Sequence, residues 1–527
     1  MKNICMHIQY YMIILTILNF NATFINAIRI LGLFAYPAKS HFTFNNAVLR
    51  SLANAGHDVT VFTSFPQDVA GENYTRVIDT SNEFSIQVAN TTYDEFSKFS
   101  AYSILTVAFN HEKPLCEKLW NRKEIQDMMN SKEKLFDVIF VEIFFVYKCM
   151  LPLAHKMKIP VIGTTTYKSW IPSDIAANNP NHPAYIPYES SISWNPNNFY
   201  ERLRNVWNYL TVYYYWNFIT VPFLQQFHQD NFQQVMPFAD YMSMVPSVIF
   251  CNAHHSFVSR PMNPNVIEVG GIHIKPPKLL PKNIEKFIED APNGVILFTF
   301  GSLIKTASIP NEIMTIILQA FAQIPQRVIM KYEIPLKNVP ENVMVLNWLP
   351  QRDILEHNNV IAFISHCGQG GVNEAIYTAT PILAIPFMFD QRVNAIYLER
   401  HGVAVQLELE QITKSTFLEA LNNIVNDTKY RDNMQILSKE FKDRPISPQQ
   451  SVVYWTEYVV RHNSAPHLNP ISNELSWFQY LLIDVIIFVL LFVIIVVYIL
   501  HTLLKNFRRN VLKLWKISCK IYLKKND

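Results

Sequence analysis

The chain has 527 residues, half of them hydrophobic, and its 45 Lys and Arg residues against 42 Asp and Glu give a formal net charge of +3. This length and apolar content allow two cores of ordinary domain size. The basic residues concentrate after His501, so the rest is slightly acidic, which argues against a nucleic-acid partner. The six cysteines form no CxxC or Cys/His cluster, which argues against a zinc site and a disulfide framework.

The N-terminal segment predicts a secretory signal peptide over residues 1–27. Lys2 precedes an apolar run from 10 to 18, and small residues ending at Ala27 form an acceptable cleavage site. An uncleaved anchor is the alternative, but the run is short for a membrane span.

The first half then opens with a β-α-β pattern. Apolar runs predict strands over 28–34 and 58–62, with a helix over 43–55 that ends at Gly56 as its C-cap. The loop after the first strand carries His41 between Ser40 and Phe42. Further strands over 138–142 and 160–163, with a helix over 146–156, complete a doubly wound half.

The middle of the chain is harder to interpret. Residues 178–240 are rich in aromatic residues and proline, which suits a helix-packing core, the wall of an acceptor pocket or a membrane-facing helix. Prolines within 276–284 indicate an extended linker. A second doubly wound half follows, with strands predicted over 295–300, 327–331 and 343–346 and a helix over 311–323.

Residues 360–391 predict a nucleotide-sugar site in one segment. A buried strand over 360–364 leads into a glycine-rich turn and a helix, whose first amides can bind a diphosphate. His366 can donate to that ligand, and Glu374 can accept from ribose hydroxyls. After the next strand, over 382–386, an acid and an amide at 390 and 391 suit a polyhydroxylated sugar.

This segment resembles the signature of the UDP-glycosyltransferases. It matches with unbroken spacing at Phe363, Ser365, His366, Gly368, Gly371, Glu374, Pro381, Pro386, Asp390 and Gln391. The resemblance extends to YPAKSHF, NPNHP, RPMNPNVIEVGG, FTFGS, NWLPQ and the membrane-proximal WTEYVVRHNSAPHL. It implies the GT-B architecture, an α/β fold of two Rossmann-like doubly wound domains facing across a cleft.

The resemblance also implies the catalytic residues. His41 matches the family's catalytic histidine, whose ordinary pKa of about 6.5 suits a general base. Glu142 stands where the family has the aspartate that orients this histidine, and its extra methylene changes the geometry of the pair. Asp137, at the entry of the same strand, is expected to be structural.

By the same resemblance, a UDP-sugar donor would be bound by Arg260, Thr299, Gly301, Ser302, Trp348, Gln351, His366, Gly368, Gly370, Gly371, Glu374, Asp390 and Gln391. For Trp348 the alternative is a well-packed core residue, and for Arg260 an interdomain salt bridge. Two departures from the family pattern lie in the turn. Cys367 replaces a usual glycine, and Gly370 replaces an asparagine that can donate to phosphates.

The C-terminal region predicts a single membrane span. Residues 480–500 carry one charge, Asp484, and the basic tail beyond them indicates a cytosolic end. The last four residues, from Lys524, resemble a dilysine retrieval signal. We therefore expect a single-pass protein of the endoplasmic reticulum membrane with lumenal catalytic domains, in which sequons at Asn73, Asn90 and Asn426 can carry glycans.

The expected domains are the signal peptide 1–27, an acceptor-binding domain 28–275, the linker 276–284, a UDP-sugar-binding domain 285–440, a return helix and membrane-proximal segment 441–479, the transmembrane helix 480–500 and a basic tail 501–527. The expected function is metal-independent, inverting transfer of a hexose, with glucose favoured over glucuronic acid, from a UDP-sugar to hydroxyls of small lipophilic acceptors. No permanently bound cofactor is expected, and a homo-oligomer is left open. The alternative is a catalytically inactive, membrane-anchored protein that binds nucleotide sugars or lipophiles.

Overall fold

A computed structural model of the chain describes residues 27–82, 92–93, 114–143, 147–168, 171–188, 191, 193–302 and 304–525. The predicted signal peptide, except for its last residue, and the sequon at Asn90 lie outside the described residues. Contacts divide the chain into two units, residues 1–469 and residues 470–527.

The first half of the larger unit is built on a seven-stranded parallel sheet among the described residues. The strand order is β3-β2-β1-β4-β5-β6-β7. The strands are β1 (Arg29–Phe34), β2 (Asp58–Thr63), β3 (Arg76–Asp79), β4 (Val138–Glu142), β5 (Val161–Thr165), β6 (Val248–Cys251) and β7 (Val266–Glu268). The helices are α1 (Lys39–Asn54), α2 (Lys123–Asn130), α3 (Tyr147–Met157), α4 (Ile171–Ala177), α5 (Phe199–Tyr215), α6 (Val221–Asn231) and α7 (Phe238–Ser243).

The second half is built on a six-stranded parallel sheet in the order β10-β9-β8-β11-β12-β13. Its strands are β8 (Val295–Thr299), β9 (Arg327–Lys331), β10 (Val343–Leu346), β11 (Val360–Ser365), β12 (Ile382–Ala384) and β13 (Ala404–Gln406). The helices are α8 (Lys282–Glu289), α9 (Asn311–Phe321), α10 (Gln351–Leu355), α11 (Gln369–Thr378), α12 (Asp390–Arg400), α13 (Lys414–Asn426), α14 (Thr428–Lys442) and α15 (Pro448–Arg461).

Both sheets are covered by helices on both faces, which explains their nearly continuous apolar strands. In β1, Leu31 and Leu33 point into one apolar cluster and Ile30 into the cluster on the opposite face. In β8, Ile296 and Leu297 are divided in the same way between the two clusters of the second sheet. This arrangement confirms the predicted class of two doubly wound α/β domains.

Helix α15 returns the chain to the first half after the second sheet is complete. Its Val452 and Val459 are fully buried in the same apolar cluster as Val48 and Leu52 of α1. A capping box at Ser447 fixes the start of α15. The return helix therefore packs on the helix that carries His41.

Helix α1 begins four residues earlier than predicted, at Lys39 instead of Thr43. The expected loop around His41 is thus wrong, and His41 lies in the first turn of the helix. The reason is that the N-cap residue, Ala38, offers no side-chain hydrogen bond and gives the sequence no start signal. Gly56 ends the helix as predicted, although it lies one residue after the C-cap Ala55, with φ of +90°.

Cys116 and Cys149 form a disulfide, which the sequence did not predict. Their Cα atoms are 5.8 Å apart, and the two residues are 33 positions apart in the chain. The bond joins a helical segment, 114–120, to α3, so it depends on tertiary packing and has no local sequence signal.

Replacing Cys116 with serine is expected to lower the free energy of unfolding by about 3–4 kcal/mol, because the loop closed by the disulfide restricts the unfolded chain. Thermal or denaturant unfolding under non-reducing conditions measures this loss. Adding a reductant to the parent protein should reproduce most of the loss, and the matched Cys251→Ser variant should retain its sensitivity to reductant. Equal stability of the parent and Cys116→Ser without reductant would contradict the prediction.

The aromatic region around α5 divides between core and surface. Tyr209 and Val212 are buried, whereas Tyr200 and Trp207 are 78% and 70% exposed. One face of the helix therefore packs in the core, which agrees with the interpretation of this region as a helix-packing core. The opposite face is exposed in this unit.

The smaller unit contains helices α16 (Trp477–Tyr480) and α17 (Ile483–Lys525). Within α17, the stretch Ile483–Lys520 contains an 18-residue window with a mean hydropathy of 3.3, and it is long and apolar enough to cross a membrane. This helix includes most of the predicted span, and it is the one such candidate among the described residues.

Candidate active site

The side chains expected to carry the chemistry lie at the carboxyl ends of the parallel strands. In the first sheet, His41 follows β1 and Glu142 ends β4. In the second sheet, His366 follows β11 and Asp390 follows β12. Ligands of open α/β sheets bind at this edge, and both halves present it.

His41 and Glu142 form a direct pair. His41 Nδ1 lies 2.5 Å from Glu142 Oε1, and the Glu142 side chain is 5% exposed. Asn45 donates to the other carboxylate oxygen at 2.9 Å, and the Thr166 hydroxyl lies 3.4 Å from Oε1. The longer glutamate side chain therefore reaches the histidine, and its position is fixed by two further hydrogen bonds.

The charges around His41 favour its protonated form. Burial alone would lower the pKa of His41, but the carboxylate of Glu142, with a contribution from Asp390, holds it above its ordinary value. Because Nδ1 faces Glu142, Nε2 is the ring nitrogen that points away from this carboxylate. A neutral His41 in this tautomer can accept a proton at Nε2 while its Nδ1–H stabilises the imidazolium.

His366 is enclosed by two glycines. A Cβ added to Gly301 would lie 2.6 Å from His366 Cε1, and one added to Gly368 would lie 2.6 Å from Nε2. Gly301 also has φ of +76°, which disfavours any other residue. Burial, together with Lys331, lowers the pKa of His366 to about 4. The imidazole is therefore neutral at physiological pH and can donate a single hydrogen bond.

Helix α11 begins directly after Gly368, and its N-terminus contacts Asp390. The Gln369 amide donates to Asp390 Oδ2 at 3.2 Å, so this first amide already has a partner. Asn394 donates to the same oxygen at 3.0 Å. The amides of Gly370 and Gly371 are the remaining ones in the first turn, and they carry the positive end of the helix dipole.

Glu374 lies one turn into α11 and belongs to a buried polar group. Gln351 Nε2 donates to its Oε2 at 2.6 Å, and His273 Nε2 lies 3.8 Å from its Oε1. Burial raises the pKa of Glu374 to about 7, although Gln351 and Arg352 oppose the shift. A hydroxyl that donates to this carboxylate would favour its ionised form.

The Asp390–Gln391 pair begins α12. Gln391 Oε1 accepts hydrogen bonds from the amides of Phe387 and Met388, which fixes the turn before the helix. Phe389 in that turn has φ of +47°, a conformation that costs energy for a residue other than glycine and that is often found at functional sites. Burial raises the pKa of Asp390 to about 6.

The remaining donor-side residues also lie at the edge of the second sheet. Trp348, after β10, is 65% exposed, which rules out the alternative of a well-packed core residue. The Thr299 hydroxyl accepts from the Gly301 amide, and Ser302 follows in the same turn. A Cβ on Gly371 would lie 3.3 Å from Gln351 Nε2, so this glycine lets Gln351 approach α11.

Arg260 occupies a different environment from the other predicted donor residues. Its guanidinium forms a buried ion pair with Asp174 at 3.1 Å and also donates to the Pro180 carbonyl. Both partners belong to the first half, so the pair is not an interdomain salt bridge either. The Arg260 side chain is only 3% exposed and is paired with Asp174, so it is poorly placed to bind a diphosphate.

The two departures from the family pattern have different structural consequences. Cys367 has φ of +65°, which explains why glycine is usual there, and its thiol is fully buried. At Gly370, an added Cβ would have a single neighbour, His273 Nε2, at 3.9 Å. The Cβ of a larger residue at 370 therefore meets no backbone atom within 4 Å.

Restoring asparagine at Gly370 is expected to raise the affinity for UDP about tenfold, because it supplies one hydrogen bond to a charged phosphate. Isothermal titration calorimetry measures this change. The matched Gly370→Ala variant adds a side chain without a donor, so its affinity should stay within about twofold of the parent. An Asn variant that binds UDP no better than the Ala variant would refute the prediction.

Several residues of the site were missed in the sequence. Asn45 lies four residues after His41 on the same face of α1, so its contact with Glu142 could have been inferred from helical spacing. Thr166, Asn252 and Asn373 have no comparable signal, because their contacts depend on how β5, β6 and α11 pack together. Within the described residues, no group of three or more His, Cys, Asp or Glu side chains has the arrangement of a metal site.

Comparison with known proteins gives matches over most of the chain. The family profile described as "UDP-glucoronosyl and UDP-glucosyl transferase" matches residues 14–520. UDP-glucosyltransferase 2 of Dactylopius coccus is 35% identical over 484 residues, covering 91% of this chain and 93% of the relative. UDP-glycosyltransferase UGT5 of the same species is 37% identical over 474 residues, covering 87% and 88%.

Solved structures agree with the architecture. The glycosyltransferase VinC, determined in complex with dTDP, superposes with a TM-score of 0.56 at 16% identity, covering 82% of this chain and all of that one. At such low identity the likeness concerns the fold alone. It assigns the two parallel sheets to the GT-B fold.

Proposed function

Since this chain belongs to the UDP-glucuronosyl and UDP-glucosyl transferase family, we propose that it transfers glucose from UDP-glucose to hydroxyl groups of small lipophilic acceptors, with inversion and with His41 as the general base. The observation that carries the proposal is the 2.5 Å contact between His41 and Glu142 at the carboxyl edge of the first sheet.

The proposed step is a single displacement. His41 Nε2 removes the proton of the acceptor hydroxyl, whose oxygen forms a bond to the anomeric carbon. The bond from that carbon to the β-phosphate oxygen breaks, and UDP leaves with the electron pair. Glu142 holds the Nδ1–H tautomer and stabilises the imidazolium that forms, as the acid does in other histidine-based sites.

The donor would lie along the edge of the second sheet. The amides of Gly370 and Gly371, with His366 as a neutral donor, suit the diphosphate. Glu374 and Gln351 suit the ribose hydroxyls, and the exposed Trp348 offers an aromatic face to uracil. In this arrangement each of these residues would lie beside the leaving group.

The sugar would lie against Asp390 and Gln391. The Gln391 carbonyl oxygen is used in the turn, which leaves its amide nitrogen for a sugar hydroxyl. Basic side chains in this part of the described structure already have partners: Arg392 donates to the Phe387 carbonyl, and Lys39 is paired with Asp68. The C6 carboxylate of glucuronic acid would need a basic side chain as its partner. The site therefore suits a neutral hexose better than glucuronic acid.

We place the catalytic unit in the lumen of the endoplasmic reticulum, attached by α17. The Cys116–Cys149 disulfide supports an oxidising compartment. The apolar stretch of α17 followed by basic residues supports a single span with a cytosolic tail.

The test is a competition assay in microsomes that carry the full chain. Equal concentrations of UDP-glucose, UDP-glucuronic acid, UDP-galactose and UDP-N-acetylglucosamine are offered with a panel of phenols, and products are identified by mass spectrometry. We expect glucosides to dominate. A dominant glucuronide would refute the proposed donor, and UDP binding without any product would favour the inactive, ligand-binding alternative.

A further inference from the structure

A buried hydrogen bond crosses between the two halves close to the proposed active site. Asn373 Nδ2, on α11, donates to Asn252 Oδ1, just after β6, at 2.9 Å. The two residues are 121 positions apart in the chain, and their side chains are buried, with 1% and 2% exposure. Neither was singled out in the sequence.

On the acceptor side, this bond continues to the catalytic pair. Asn252 Nδ2 donates to the Thr166 carbonyl at 2.9 Å. The hydroxyl of the same Thr166 lies 3.3 Å from His41 Nδ1 and 3.4 Å from Glu142 Oε1. Asn252 therefore holds the backbone of a residue whose side chain contacts the base and its partner.

On the donor side, the bond continues to Asp390. Asn373 Oδ1 accepts from the side-chain Nε2 of Gln369 at 2.8 Å. The backbone N–H of Gln369 donates to Asp390 Oδ2 at 3.2 Å. Asn394 then links Asp390 to the Cys367 carbonyl, in the turn before α11. The donor turn and the catalytic pair are thus joined by hydrogen bonds between buried and partly buried groups.

We propose that Asn252 and Asn373 are positioning residues, whose hydrogen bond fixes the distance between His41 in the first half and the sugar held at Asp390 in the second. Transfer requires the acceptor oxygen and the anomeric carbon to approach closely, and a misplacement of about 1 Å can lower the rate about 100-fold. The two groups lie on separate sheets, so a contact between the halves must set their separation. This inference rests on the proposed function and adds to it the means by which the two halves are aligned.

The variant Asn373→Asp breaks the bond with almost no change in shape. An aspartate at 373 can still accept from Gln369, but it has no hydrogen to donate to Asn252. We expect kcat per folded protein to fall at least about tenfold, while the Kd for UDP stays within about threefold, because the uracil, ribose and phosphate contacts are retained. Asn252→Ala removes the same bond from the other side and serves if the aspartate variant does not fold.

The matched control is Asn359→Asp. Asn359 Nδ2 donates to the carbonyls of Ile288 and Ala291 within the second half, away from the network. This variant loses a buried donor in the same way, so it should lose stability but keep kcat per folded protein within about twofold.

A second measurement does not depend on turnover. Hydrogen exchange with mass spectrometry is followed with and without UDP, in the parent, Asn373→Asp and Asn359→Asp. We expect UDP to slow exchange in the peptide 161–168, which contains Thr166, in the parent and the control but not in Asn373→Asp. This readout decides the inference even if the parent lacks transferase activity, a result that would refute the proposed function alone. Unchanged kcat per folded protein, or equal protection by UDP in parent and Asn373→Asp, would overturn the positioning role.

Discussion

Replacing His41 with alanine is expected to lower kcat by about 10² to 10⁴-fold, the usual contribution of a general base. The affinity for UDP should stay within about threefold of the parent, because the proposed donor contacts all come from the second half. Initial rates with saturating UDP-glucose, together with calorimetry of UDP binding, measure the two effects separately.

His155 provides a matched control for this change. It is a partly exposed histidine in the last turn of α3, away from the carboxyl edge of the sheet. His155→Ala should keep kcat within about twofold of the parent. If His41→Ala and His155→Ala formed product at the same rate, His41 could not be the base.

Replacing Glu142 with glutamine is expected to lower kcat/KM by up to about 10⁴-fold, because the amide cannot hold the Nδ1–H tautomer of His41 or stabilise its imidazolium. The pH profile should change as well. In the parent, activity is lost as the pH falls through the pKa of His41, which burial would lower and Glu142 raises above its ordinary value. Without the carboxylate, burial dominates, so the acid limb of kcat/KM should move to lower pH.

Asp137→Asn is the matched control on the same strand. Asp137 pairs with Arg29 at 2.9 Å at the other end of β4, and the hydrogen bond from Arg29 keeps the pKa of this carboxyl low. Its loss should reduce stability without moving the acid limb. An acid limb that is unchanged in Glu142→Gln, or shifted equally in Asp137→Asn, would contradict the assignment of Glu142.

The sequence predicted nine of the thirteen described strands, because each of these is an apolar run bounded by turn residues, but it did not predict β3, β6, β7 or β13. Strands β9 and β10 have the predicted bounds, and β4 does as well. The start of α1 was missed because Ala38 provides no capping side chain. Local patterns therefore gave the layers of the fold and misplaced the helix turn that carries His41.

The candidate site was predictable where one continuous segment supplies it, as from 363 to 391. Contacts between distant segments were not. The Cys116–Cys149 disulfide and the bond from Asn373 to Asn252 both require the tertiary arrangement, since nothing near either residue in the chain indicates its partner. The ion pair between Arg260 and Asp174 was missed for the same reason.

The most direct test of the proposed chemistry is the configuration of the product formed from UDP-α-glucose, read from the anomeric proton by NMR. A single displacement assisted by His41 predicts a β-glucoside as the initial product. An α-glucoside would require a different mechanism and would contradict the account.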